Sequence, residues 1–541
     1  MKIQTMTMTG RRSRDAAPIL GALVRTSAVL LVLAASAVAQ QPIWHWDGEE
    51  DGDRFGFAVA GAGDVDGDQH PDLLVGAFND AGGKSRGRVY LYSGRTGHLF
   101  ASFDGEADYN GLVRCAGIGD LDRDGYDDFL LGAWSANFND TASGRVYLYS
   151  GQALSLLATF DGEERLNNFG VAMAGLGDAT GDGVLDFIVG APTWTFYSPR
   201  ASKGRAYVYS GADLKEIYRF TGETQYDYLG IAVSSVGDVD GDAHADILVG
   251  ARLEGAEPGD DGNGRIYVYS GATGGLIYTL TGGREDALGA SLAQTGDVDR
   301  DGFPDFLAGA PSGGRDAQGQ VFVFSGPTGA VLFERTGTAR YFAFGRAVAG
   351  PGDVNLDGVP DLVVGEPKHD ARGENTGRVY LYSGRQGRLL YHFTGEEVFE
   401  YFGDALAAPG DVNRDGLPDL LVGAVYHPVG KDLLGGAWVF SGNDLFLQAS
   451  AEAASGGDSL DLATRGGQPA ALALLVLAEI DGAATFVPIV PGALDADGEW
   501  TFSGSVPPGL SGLELGLLSL AQRDPARGGL VDSSIERVAF Q

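Results

Sequence analysis

With one cysteine, Cys115, in 541 residues, the chain has no internal disulfide framework, and whatever holds its loops is not covalent. Cys115 falls where the other repeats described below carry Val59, Met173, Val233, Leu292, Val348 and Leu406, so it is expected to be an inert thiol in an apolar core. Basic residues are also scarce. Lys and Arg number 38 against 73 Asp and Glu, a net charge of −35, which repels nucleic acid and anionic lipid. Disorder does not explain the acidity, because 44% of the residues are hydrophobic. Beyond the N-terminal region no apolar run is long enough to cross a bilayer. The best, 470–478, has only strand length, so no membrane span is expected. The seven histidines (His45, His70, His98, His244, His369, His392 and His427) form no HExxH or other metal-ligand spacing. A Gly-x-Ser-x-Gly elbow and a phosphate-binding glycine loop are missing too, and no catalytic residue is expected.

Residues 1–39 read as a secretory leader. Arg11, Arg12, Arg14 and Arg25 precede the apolar run Ala28 to Val38, and Ala37-Val38-Ala39 forms a small-residue cleavage site. This segment holds five basic residues and Asp15, so the remainder carries −39. A secreted or cell-surface location follows from that reading.

What the chain has in abundance is glycine, 86 residues without a Gly-x-y period, which points to many tight turns between short strands. Those turns belong to a repeat. A nine-residue loop returns seven times at intervals of 56 to 60 residues. Its first position is Asp64, Asp120, Asp178, Asp238, Asp297, Asp353 and Asp411, each preceded by Gly. The third is Asp66, Asp122, Thr180, Asp240, Asp299, Asn355 and Asn413; the fifth is Asp68, Asp124, Asp182, Asp242, Asp301, Asp357 and Asp415. The seventh is His70, Tyr126, Val184, His244, Phe303, Val359 and Leu417; the ninth is Asp72, Asp128, Asp186, Asp246, Asp305, Asp361 and Asp419. Each loop sits between strand-like segments, and two more such segments complete the unit, as in 87–94 and 389–395. Four-stranded antiparallel sheets arranged radially cover one another's faces, so the expected fold is all-β, a seven-bladed β-propeller over 40–443. The segment Ile43 to Glu49 matches a fourth strand and its exit, and it is expected to complete the seventh blade.

Calcium, a hard cation, takes six to eight oxygens, and this loop offers them from side chains at positions 1, 3, 5 and 9 and from the carbonyl at position 7. His70 and His244 would give only that carbonyl, with their rings solvated. An EF-hand needs a bidentate Glu at position 12, whereas Val75, Leu131, Val189, Val249, Ala308, Val364 and Val422 stand there. The loops carry 25 ligand carboxylates, so up to seven structural Ca2+ are expected. Thr180 makes the third loop the weakest. Gln69 and Ala243, in place of Gly at position 6, are expected to strain their turns.

The pairs Phe55-Gly56 with Gly76-Ala77, and Phe169-Gly170 with Gly190-Ala191-Pro192, resemble the FG-GAP repeats of the integrin α-subunit N-terminal propeller over roughly residues 41–443. Leu229 and Leu288 depart from Phe, and Glu366 from Ala. The resemblance implies that the face opposite the acidic loops engages partners. No inserted ligand-binding domain is present, because the longest loops there are about a dozen residues. Aromatic residues gather on that face, among them Trp134, Trp194, Tyr197, Tyr228, Tyr341, Tyr401 and Tyr426, and would suit an extracellular protein or glycan. The functional expectation is a calcium-stabilised adhesion or binding module. The alternatives are an extracellular enzyme or carbohydrate-active accessory protein using the same face, and a structural surface scaffold. Residues 444–541 lose the repeat. Runs such as 470–477 and 500–503, with turns at Pro507 to Gly509, read as a small β-sandwich-like domain.

Overall fold

The computed structural model describes residues 5–7, 42–78, 85–192, 203–224, 227–252, 263–283, 285–430 and 432–442, together with the strands 474–480, 483–489, 501–503, 514–518 and 535–539. The chain divides into two compact units, Gln40–Phe446, and Met1–Ala39 with Leu447–Gln541.

The larger unit is the seven-bladed propeller. Blade one runs Phe55–Gly63, Asp72–Ala77, Arg88–Tyr92 and Leu99–Asp104, each strand antiparallel to the next, and five further blades repeat that order. Blade seven supplies Phe402–Gly410, Asp419–Ala424 and Gly436–Phe440, and its fourth strand is Trp44–Asp47 from the other end of the unit. The register is Trp44↔Val439, His45↔Trp438, Trp46↔Ala437 and Asp47↔Gly436, which bears out the expected closure. Trp44 and Trp46 donate their indole N–H groups to the carbonyls of Gly94 and Gly97 in blade one, both at 2.9 Å, so the closing strand grips the first blade as well. The innermost strands pack each on the next, and the seventh on the first, so the ring is continuous.

The cores lie between blades. Ile118, Leu130 and Val146 of blade two share one cluster with Phe169, Val189 and Tyr207 of blade three, and equivalent clusters fill the neighbouring interfaces. The Phe-Gly and Gly-Ala motifs are the joints. Phe169, 1% exposed, wedges between blades, and its backbone N–H donates to the Ser143 carbonyl of the preceding blade at 3.1 Å. Gly170 donates to the Gly190 carbonyl in its own blade at 3.0 Å. A Cβ on Gly190 would stand 2.0 Å from the carbonyl oxygen of Gly230 in the next blade, so only glycine permits that approach. Leu229 and Leu288 fill the Phe position without disturbing it, at 0% and 2% exposure. Glu366, where other blades have Ala, is fully buried and accepts a hydrogen bond from the Tyr380 hydroxyl at 2.6 Å.

In the smaller unit Leu474–Ile480 pairs with Ala483–Ile489, Thr5–Thr7 with Thr501–Ser503, and Glu514–Leu518 with Ile535–Ala539, all antiparallel. The remainder of 444–541 expected to be sandwich-like, and the leader expected over 1–39 apart from Thr5–Thr7, lie outside the described residues. No helix among the described residues is long and apolar enough to cross a membrane.

Candidate metal centres and the opposite face

Each acidic loop is built around its position 9 aspartate, the first residue of the second strand. Asp72 is fully buried, and its two carboxylate oxygens accept from the Val65 N–H inside the loop and the Gly94 N–H after the third strand, both at 3.0 Å. The same latch recurs in all seven blades, for example Asp246 with Val239 (2.9 Å) and Gly271 (3.0 Å), and Asp419 with Val412 (2.8 Å) and Gly442 (2.7 Å). Desolvation pushes these carboxyls up against the pull of the N–H donors: Asp72 and Asp419 to about 7, Asp361 to about 8, and Asp128, Asp246 and Asp305 to about 6. A buried carboxylate of this kind gains from a cation beside it.

Positions 1, 3 and 9 come together. One carboxylate oxygen from each of Asp64, Asp66 and Asp72 lies within 4.8 Å of the other two, and likewise for Asp120, Asp122 and Asp128; Asp238, Asp240 and Asp246; and Asp297, Asp299 and Asp305. Position 5 stands outside these groups, its Oδ1 turned to the N–H of position 7, as in Asp68 with His70 at 2.9 Å and Asp301 with Phe303 at 2.9 Å. Oδ1 of Asp64 is buried without a hydrogen-bond partner, and so is the Thr180 hydroxyl in the third loop. Convergent hard oxygens with an orphaned acceptor fit a divalent cation of the calcium kind. The Asn loops differ. The Asn355 side-chain amide faces Asp361 at 3.1 Å and that of Asn413 faces Asp415 at 3.0 Å, so each supplies a donor of its own to the cluster.

Adjacent loops are also stitched to one another, a feature missed by the sequence reading. The rings of Tyr126, His244 and Phe303 at position 7 cover Gly67, Gly181 and Gly241 at position 4 of the preceding loop, where a Cβ would come within 2.6, 2.1 and 3.5 Å. Where position 4 is Arg, the guanidinium reaches forward instead: Arg123 to the Gly183 carbonyl, Arg300 to the Asp357 carbonyl at 2.9 Å, and Arg414 to Gln69 Oε1 at 2.9 Å. His70 Nδ1 meets the Val412 carbonyl at 2.7 Å. Neither His70 nor His244 is the solvated side chain expected. The covariation of position 4 with the next position 7 was visible in the sequence as Gly67/Tyr126, Gly181/His244 and Gly241/Phe303. Gln69 and Ala243 have φ of +70° and +71°, the strained backbone expected of non-glycine residues there. The Cys115 thiol packs in the apolar cluster between blades one and two, with burial pushing its pKa up to about 12.

At the other end of the blades an aromatic and arginine belt crosses three blades. Tyr401 and Tyr426 lie edge to face at 5.3 Å, Arg54 sits over Tyr426 at 5.2 Å and over Phe78 at 5.6 Å, and Phe78 stacks on Trp134 at 6.1 Å. Phe57 packs on Phe78 at 5.3 Å and carries the Arg114 guanidinium at 4.9 Å. Arg54, Phe57 and Phe78 were not anticipated. Tyr341 projects singly, 65% exposed with Arg340 over its ring, while Tyr228 is half-buried. Trp194 and Tyr197 lie outside the described residues.

The FG-GAP repeat family matches residues 169–209, 230–269 and 288–324, and the FG-GAP-like repeat family matches 64–131 and 314–422. Among curated proteins the chain is similar to integrin alpha-V of Gallus gallus, 33% identical over 207 residues, 35% of this chain and 19% of that protein. It is 35% identical over 242 residues to integrin alpha-5 of Xenopus laevis, 41% of this chain and 21% of that one. With integrin alpha-IIb of Homo sapiens it shares 33% over 222 residues, 38% and 20% of the two chains. It thus spans about a fifth of the length of these relatives. Among solved structures, Saccharomyces cerevisiae Sqt1 aligns over 74% of this chain and 99% of that one with a TM-score of 0.44 and 12% identity. Phe-Gly stands at four of the joints and Gly-Ala at six, the acidic loop recurs in every blade, and the family and integrin matches agree with both: the chain belongs to the FG-GAP repeat proteins, with an integrin-α-like propeller.

Proposed function

We propose that this chain is an extracellular, calcium-loaded propeller that acts as an adhesion or binding module, with calcium structural at one face and a protein or glycan ligand taken at the other. The observation that supports this most is the division of labour between the two ends of the propeller. Carboxylate oxygens converge at one end, with Asp64 Oδ1 left without a donor, while the opposite end carries an aromatic and arginine belt of a kind that suits recognition. Calcium is held by positions 1 and 3, the carboxylate at 9 and the carbonyl at 7, with position 5 joining when the ion draws it in. It neutralises like charges and fixes the turn between the first two strands, and up to seven ions would take the −39 of residues 40–541 to about −25. Residues 1–39 act as the export leader, and 444–541 form a separate β-sandwich-like domain.

Residues 40–541, loaded with calcium, are to be screened against extracellular protein and glycan arrays, followed by Trp134→Ala and Tyr426→Ala. The expected result is a ligand whose binding falls at least tenfold in these variants while both stay folded at the assay temperature. Binding that is indifferent to both substitutions, or that survives in a chelated and unfolded chain, would overturn the proposal.

A further inference from the structure

The closing blade carries a cluster that the seven-fold repeat does not explain. His45 and Asp47 lie on the closing strand, and His427 lies in the connection between the second and third strands of blade seven, on the face opposite the acidic loops. His45 Nε2 is 3.0 Å from Asp47 Oδ1, and His427 Nε2 is 3.7 Å from the same oxygen. One donor atom from each of the three residues lies within 4.8 Å of the other two. In a tetrahedral zinc site with bonds of about 2.0–2.1 Å, neighbouring donors stand about 3.3 Å apart, and the two measured spacings bracket that value.

The surroundings are those of a ligand set. His427 Nδ1 is 2.9 Å from Glu400 Oε1, and Glu400 is 1% exposed. The other oxygen of Glu400 accepts the N–H groups of Glu396 (2.6 Å) and Glu397 (3.0 Å), so the carboxylate is fixed before any metal arrives. A carboxylate that takes the Nδ1 proton of an imidazole leaves its Nε2 lone pair aimed at the site, the arrangement that orients histidine ligands on metals. The indole of Trp438 is the floor, stacked on His45 at 4.7 Å and edge-on to His427 at 5.0 Å. The His45 and Asp47 side chains are each 36% exposed, so a fourth position opens to solvent.

Blade six supplies an internal control. His369 and His392 occupy the equivalent positions, eight residues after Asp361 and opposite Tyr380, but Thr394 stands where blade seven has Asp47. His369 is packed against Phe342 at 5.2 Å, and the buried Glu366 carboxylate is 3.9 Å from its Nε2. The same pair of imidazoles without a shared, accessible carboxylate makes no ligand set.

We infer that His45, Asp47 and His427 form a binding site for a divalent transition metal of the zinc class, oriented by Glu400, which staples the closing strand to blade seven. Two imidazoles and one carboxylate suit zinc and not calcium, so the site is chemically distinct from the acidic loops and independent of the ligand reading above.

The test uses the full propeller-containing chain with calcium held at saturation. Zinc chloride is titrated by calorimetry, Co2+ by its visible absorption, and Cu2+ by quenching of tryptophan fluorescence. One zinc should bind per chain and raise the melting temperature, and cobalt should give the intense bands of four-coordination. His45→Ala and His427→Ala should each weaken zinc at least tenfold, and Glu400→Gln by roughly ten- to a hundredfold. His369→Ala and His392→Ala should leave binding unchanged. Should a histidine variant fail to fold, Asp47→Asn at the exposed strand end carries the same expectation. No zinc binding under calcium saturation would overturn the inference. So would zinc binding of equal strength in His45→Ala and His427→Ala, or a loss on changing the blade-six pair instead.

Discussion

The two ends of each blade obey different rules. Where the first strand turns into the second, seven loops share one polar scaffold, with the position 9 carboxylate bridging its own loop and the glycine after the third strand every time. Where one blade leads to the next, the backbone joint repeats, as in Phe169 to Ser143 and Phe402 to Thr376, but the side chains carried beside it differ from blade to blade. Among the described residues the belt from Tyr401 to Trp134 and the His45, Asp47 and His427 cluster of the closing blade each occur once. The repeated end poses a shared physical problem, like charges gathered in a tight turn, and the proposed answer is the same cation each time. The variable end has no such problem to solve, because its backbone groups are satisfied by the blade joints, as in Phe169 to Ser143. Its side chains can therefore serve recognition.

Removing the metal should break this comparison most visibly. If the acidic loops hold calcium, its removal by a chelator withdraws about 2.7 kcal/mol per site for ions held at a hundredfold over Kd. Calorimetry should then show a fall in melting temperature larger than any single substitution gives, restored by adding calcium back. An unchanged melting temperature would mean that the loops are stable through their hydrogen bonds alone. Next comes the latch itself. Asp361→Ala leaves the N–H groups of Asn355 and Gly384 without their carboxylate acceptor and Val354 N–H with only the Gly352 carbonyl, a loss of roughly 3 kcal/mol in urea unfolding. Asp353→Ala, half-buried at the rim of the same loop, should cost less in chelator, and a reversal of that order would refute the latch.

The pH dependence separates the metal-free from the metal-loaded state. Position 9 carboxyls titrate above their unfolded value of 3.8, at about 6 for Asp128 and about 8 for Asp361. Between those limits the folded chain binds more protons than the unfolded one, so stability in chelator falls as pH rises from about 4 to about 8 and levels off above. Saturating calcium, which binds the ionised carboxylates, should remove that fall. Denaturation at a series of pH values with and without chelator measures both slopes. Parallel slopes would show that the metal does not engage position 9.

The propeller was legible because its punctuation is redundant: seven glycine-preceded Asp loops in phase leave one arrangement of sheets. Even the closing strand could be read, since Trp46-Asp47-Gly48 repeats the exit of a fourth strand such as Phe393-Thr394-Gly395. The loops were legible as ligand sets, but not the latch. Which oxygen of Asp72 meets Gly94 depends on how a third strand returns beside the second, and spacing along the chain carries no trace of that. The histidine pair was invisible for the same reason, because His45 and His427 belong to opposite ends of the ring and meet only once it closes. Arg54, Phe57 and Phe78 escaped notice because each looks like ordinary strand-end composition until the blades are set side by side.

The smaller effects sharpen the contrast. Ala243 at φ +71° stands where five other loops have Gly, so Ala243→Gly should stabilise the chain by about 1 kcal/mol in urea unfolding. Gln69→Gly should gain less, because Gln69 Oε1 receives the Arg414 guanidinium and that link across the ring closure would be lost. Equal gains would mean that the inter-loop stitch contributes nothing.

The smallest effect belongs to the variable end. Tyr341 is 65% exposed and its ring is covered only by Arg340, so Tyr341→Ala should change stability by less than about 0.5 kcal/mol. Trp134→Ala, half-buried against Phe78, should cost more than Tyr341→Ala yet less than the latch variant. If instead Tyr341→Ala destabilised the chain as much as Asp361→Ala, the variable face would be holding the blades together. The division between a stabilising end and a recognising end would then fail.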